Sequence, residues 1–96
     1  MIRHIVMWKL RPENARENAQ EIKRRLESLS GAVPELLSCE VGINGGGDRN
    51  AFDIVLTADF ADFDALERYR VHPEHRKVAE FVRAVAVGRS AVDYTV

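Results

Sequence analysis

Four side chains in this sequence have the types and spacing to do chemistry. His4, His72 and His75 are its only histidines, and the latter two follow Tyr69 in the run Tyr69-Arg70-Val71-His72-Pro73-Glu74-His75. Residues three apart share one face of a helix, so Tyr69 with His72, or His72 with His75, can point together into a pocket beneath a break at Pro73. An imidazole of pKa ~6.5 takes a proton from carbon or oxygen at neutral pH, and a phenol holds or protonates a carbonyl oxygen. The combination suits enolisation, aldol or cyclisation chemistry that needs no cofactor. Each group also has a plainer reading. His4 is then a half-buried imidazole bonded to an acid such as Asp53 or to backbone, His72 a helix cap, and His75 a solvated side chain.

Other chemistries have less in the sequence to support them. His4, His72 and His75 match no established metal-site spacing, and no carboxylate is placed to complete them, so no metal is assigned. Ser28, Ser30, Ser38 and Ser90 lack a Gly-x-Ser-x-Gly elbow. Gly45-Gly46-Gly47 lacks the P-loop spacing and its Lys-Ser/Thr, which leaves a plain turn. Cys39 is the only cysteine, read as a buried inert thiol in a reducing compartment.

The elements that must position these groups follow from hydrophobic periodicity. Residues 2–10 form a strand with Ile2, His4, Val6, Trp8 and Leu10 on one side and Arg3, Ile5, Met7 and Lys9 on the other. Apolar groups on both sides imply cover on both faces. From Glu13 to about Ser30, Ala15, Ala19, Ile22, Leu26 and Leu29 mark the buried stripe of an amphipathic helix. Leu37, Cys39, Val41 and Ile43 alternate as a second strand with one face in the core. Residues 52–60 make the third, joined to the second by the glycine loop as a hairpin. Asp62 caps a helix over 63–70 that buries Phe63, Leu66 and Tyr69 or their neighbours. A further helix runs from Pro73 to about Val87 and stops at Gly88, and 91–96 is the fourth strand.

The order β-α-β-β-α-β, with its second helix broken at Pro73, is the α+β, ferredoxin-like split βαβ arrangement. Four antiparallel strands then carry both helices on one face. The other face keeps apolar residues, which marks a partner surface. Two such sheets stacked about a two-fold axis would make a homodimeric barrel.

Length and composition bound the rest. Ninety-six residues give a single domain, 1–96. Fourteen Lys+Arg against fifteen Asp+Glu leave a net charge of −1, without a field to attract nucleic acid or an anionic membrane. No apolar run approaches the roughly 20 residues of a transmembrane helix, and a cytoplasmic location is expected.

Several stretches together resemble the stress-responsive A/B barrel domain family, often called Dabb. They are the opening Arg3-His4-Ile5-Val6-Met7-Trp8-Lys9-Leu10, Glu40-Val41-Gly42, Phe52-Asp53-Ile54-Val55-Leu56, the Tyr69 to His75 element, Val78-Ala79-Glu80-Phe81-Val82 and the ending Val92-Asp93-Tyr94. The resemblance covers essentially the whole chain and implies a dimeric α+β barrel of ferredoxin-like halves. The family includes plant proteins linked to stress tolerance, bacterial members of unknown role and a polyketide cyclase branch. By resemblance to that branch, Tyr69 and His75 act on substrate with His4 nearby. Asp53 stands where the cyclases carry another histidine, so the His-Pro-x-His element can instead be architectural, with Asp53 fixing His4 and with Asp93 and Tyr94 serving the sheet or the dimer interface.

Three readings result. The first is a homodimer that binds a small apolar or carbonyl ligand in a pocket of each subunit. Its candidate residues are His4, Tyr69 and His75, with His72, Asp53 and Trp8 as further binding positions. The second is a cofactor-independent cyclase, lyase or isomerase with His75 as base and Tyr69 as oxyanion partner. In the third, stable oligomers serve a structural role in stress.

Overall fold

The computed structural model describes all of residues 1–96. Its elements are β1 (Ile2–Leu10), α1 (Ala15–Ser28), β2 (Ser38–Ile43), β3 (Ile54–Phe60), α2 (Phe63–Val71), α3 (Pro73–Val85) and β4 (Ala86–Thr95), with a short 3-10 turn at Leu29–Gly31. The strands form one antiparallel sheet in the order β2-β3-β1-β4. The fold is the ferredoxin-like α+β arrangement that the periodicity implies, as an open sheet.

β1 is central, and its alternation decides what the core receives. Ile2, His4, Val6, Trp8 and Leu10 are all buried under the helices. α1 docks Ala19, Ile22 and Leu26 on this face, α2 adds Ala65, Leu66 and Tyr69, and α3 adds Val78 and Val82. The opposite face has no cover within the chain. There Met7, Val92 and Tyr94 are exposed beside the half-buried Ile5 and Val55.

Three boundaries and the burial of two segments differ from the sequence expectation. α3 stops at Val85 and passes directly into β4, which begins five residues before the expected Ala91. Gly88 is therefore a strand residue opposite Lys9 and no helix stop. A Cβ there would lie 3.2 Å from that of Lys9, next to the register shift at Lys9/Leu10, so a close strand approach explains the glycine. β3 starts at Ile54, because Phe52 and Asp53 still belong to the loop from the edge strand. On β2 only Val41 is buried. Leu37 and Ile43 are exposed, since an edge strand is reached by α1 over its middle alone. Phe63 is also exposed: it opens α2 on the turn facing away from the sheet, and Ala65 and Leu66 take the buried positions.

Candidate functional site

The break between α2 and α3 shows why two histidines flank Pro73. In an unbroken helix the Glu74 amide would donate to the Arg70 carbonyl, four residues back. Pro73 pushes His72 to extended backbone (φ −64°, ψ 134°) and opens that bond. Each orphaned group is then met by an imidazole. The Glu74 N–H donates to His72 Nδ1 at 3.1 Å, and His75 Nδ1–H donates to the Arg70 carbonyl at 3.0 Å. One backbone hydrogen bond is thus replaced by two side-chain bonds. His72 is the cap of the plainer reading. The sequence expectation that His75 is simply solvated is corrected: it is half-buried and tied to backbone.

The tautomers follow from these partners. With Nδ1–H committed to a carbonyl, neutral His75 carries its lone pair on Nε2, which has no partner in the protein. His4 is arranged alike, its Nδ1–H donating to the Asp93 carboxylate in a very short contact. Asp93 is held in turn by the Arg70 guanidinium at 3.1 Å. Burial pushes the pKa of both imidazoles below the usual histidine value. For His4 the Asp93 contact opposes this, while Arg70 and Arg89 add to it. For His75 the bond to the Arg70 carbonyl opposes it, while His4, Arg70 and Arg83 add to it. Both rings are therefore neutral bases at pH 7.

Tyr69 lies between them. Its ring centroid is 4.3 Å from that of His75 and 6.4 Å from that of His4, with Phe60 behind at 4.9 Å. The residue is 1% exposed, and burial raises its pKa well above the phenol value, so the hydroxyl keeps its proton. That hydroxyl makes no side-chain hydrogen bond. No fully enclosed side-chain polar atom in the structure lacks a partner, so the hydroxyl reaches open space.

The open space is a cavity of about 340 Å³ between the sheet and α3, within the size range of small-molecule sites. His4, Trp8, Tyr69 and His75 line it together with apolar side chains such as Leu26 and Val78. Arg70, Arg83 and Arg89 complete the wall. The arrangement offers an apolar chamber, two neutral proton acceptors and one neutral hydrogen-bond donor.

Of the sequence candidates, His4, Tyr69, His75 and Trp8 come together here, while His72 and Asp53 do not. Asp53 is corrected as the partner of His4. It accepts from the Leu10 amide at 2.7 Å and lies 3.9 Å from Lys9, at the far end of β1. Asp93 takes that role because the β1–β4 register sets it directly opposite His4, on the helix side of the sheet. Asp93 thus serves the sheet, as one of its two expected places has it, through a cross-strand contact on the helix side. Asp93 lies inside the expected strand 91–96, but its register against β1 is a property of the folded sheet. Arg70 holds Asp93, and sequence reasoning missed Arg70, Arg83 and Arg89 as wall residues. Three or more His, Cys, Asp or Glu side chains do not converge anywhere as a metal centre would need. Burial pushes the Cys39 thiol up to about 11, which leaves it un-ionised.

A search of curated protein sequences finds no match. Solved structures are informative. A dimeric protein of unknown function and ferredoxin-like fold from Bacteroides fragilis is similar at a TM-score of 0.90 and 27% identity, covering 99% of this chain and 95% of that one. A dimeric ferredoxin-like protein of unknown function from Thermobifida fusca gives 0.88 and 25%, over 99% of this chain and 90% of that one. The hydroxynitrile lyase of Passiflora edulis shares the fold, with a TM-score of 0.86 at 17% identity over 99% of this chain and 92% of its own. The model of the stress responsive A/B barrel domain matches residues 2–96, and the chain belongs to that family.

Proposed function

We propose that this chain works as a homodimer whose subunits each bind a small, largely apolar carbonyl compound and move a proton on it without a cofactor. In this reading His75 Nε2 takes a proton from carbon next to the carbonyl, and the bond's electron pair passes into an enolate. The Tyr69 hydroxyl donates a hydrogen bond to the developing oxyanion, and His4, held by Asp93, is the second proton acceptor or donor. A single observation carries the proposal: two neutral imidazoles with unpartnered Nε2 atoms flank a buried, unpartnered phenol at the wall of one cavity. Pairing through the uncovered sheet face is supported by the exposed Met7, Val92 and Tyr94, and by the dimers described for the B. fragilis and T. fusca proteins.

The test is solvent-deuterium incorporation next to the carbonyl of phenyl-substituted alkyl ketones such as 4-phenyl-2-butanone, followed by NMR. The wild-type chain is expected to accelerate exchange over buffer. His75→Ala should lose about 10²–10⁴-fold of that acceleration, and Tyr69→Phe a smaller part. Acceleration that survives both substitutions overturns the assignment, as does a wild-type chain with no effect on any ketone tried.

A further inference from the structure

The cavity's charge is unevenly distributed. Its inner end is neutral, formed by two uncharged imidazoles and a protonated phenol. Its rim carries three guanidinium groups. Arg70 is already neutralised, 3.1 Å from Asp93 and 3.7 Å from Glu67. Arg83 and Arg89 are exposed, and no carboxylate lies within 4.0 Å of either. They come from different elements, the last turn of α3 and the first half of β4, and both line the same opening. The pair also lines an adjoining cleft of about 210 Å³ with Trp8, Val82, Ala86 and Gly88. The two uncompensated cations therefore stand where this cavity meets a second apolar space, and Trp8 lines both.

We propose that the site selects carbonyl compounds bearing a carboxylate, which Arg83 and Arg89 hold at the rim while the apolar body occupies the space around Trp8. This deepens the reading under Proposed function and rests on that cavity being the ligand site. Six arginines of the chain have no carboxylate within 4.0 Å (Arg11, Arg16, Arg49, Arg76, Arg83 and Arg89), and of these only Arg83 and Arg89 line this cavity. A guanidinium meets a carboxylate with a planar fork of donors, which suits this anion over a neutral oxygen. It also fits the chemistry proposed for the inner end. Arg83 and Arg89 disfavour the imidazolium that forms when a histidine accepts a proton, and a bound carboxylate cancels part of that field. The position of Arg89 is set by register: it pairs with Trp8 on the helix side, away from the face proposed for dimer contact.

The experiment compares 3-benzoylpropionate with its methyl ester on the full chain, reading the fluorescence of Trp8, the only tryptophan. A unit charge about 4 Å away is worth roughly a factor of five even in bulk water. The acid should therefore bind at least about tenfold more tightly than the ester at low ionic strength, and the gap should narrow in 0.5 M salt. In the double variant Arg83→Gln/Arg89→Gln the gap should close. Both positions are exposed, so the substitution leaves the core intact. An ester that binds wild type as tightly as the acid overturns the carboxylate assignment and leaves the cavity reading standing. A double variant that keeps the preference overturns it too. If neither compound perturbs Trp8 at millimolar concentration, the cavity reading fails and takes this inference with it.

Discussion

His4 is the side chain whose behaviour depends most on a single neighbour. Burial lowers its pKa and Asp93 raises it. Removing the carboxylate in Asp93→Asn should therefore lower the His4 pKa further, seen as an acid shift of its ring resonances in an NMR titration. A rise would show that Asp93 does not hold this ring. Stability follows from the same shifts. His4 and His75 have folded pKa values below the unfolded ~6.5, so the unfolded chain binds more protons in that window. Stability is complete above about pH 6.5 and falls as the pH drops below it toward the folded values. The melting temperature should decrease between pH 7.5 and 5.5, and decrease less in His75→Gln. Asp59, which accepts from Arg3 at 2.9 Å, has its pKa lowered, so its contribution is lost only further down, below the ordinary carboxylate value.

The junction of α2 and α3 is the element that brings the chemistry together. It depends on caps. Asp62 accepts from the Ala65 amide at 2.8 Å to start α2, and His72 accepts from Glu74 to start α3. His72→Ala should destabilise the chain by about 0.5–2 kcal/mol, and His72→Asn, a stronger cap type, should restore most of it. Urea denaturation measures both. His75 differs, since it satisfies the Arg70 carbonyl and also lines the cavity. A stability loss is therefore expected in His75→Ala alongside the activity loss. His72 variants should show the first without a comparable second, because His72 lies outside the cavity wall.

At the scale of the molecule, one sheet face is covered by three helices and the other by nothing in the chain. Ile5, Met7, Val55, Val92 and Tyr94 on that face form a stripe across β3, β1 and β4. A charge placed there need not disturb the core on the opposite face, yet it would be costly to bury against a second copy. Met7→Glu/Val92→Glu should therefore sediment as a monomer with its helical content retained, while wild type sediments as a dimer at micromolar concentration. A monomeric wild type would remove the dimer proposal and leave the cavity, which lies within one subunit, unaffected.

The sequence by itself determined the element order, the faces of β1 and the helix break. These rest on local rules: side-chain alternation in strands, the 3.6-residue helical repeat, and the missing N–H of Pro73. Helical spacing alone offered Tyr69 with His72 or His72 with His75, and it was the family resemblance that grouped His4, Tyr69 and His75. Only the tertiary structure decided that Asp93, and not Asp53, holds His4. That depends on strand register between residues 89 apart in the chain, and the expected start of β4 was five residues late. The same misplaced boundary hid Arg89, and nothing in the spacing singled out Arg83. Pairing partners and uncompensated charge depend on distances across the fold, and periodicity along a chain carries no record of them.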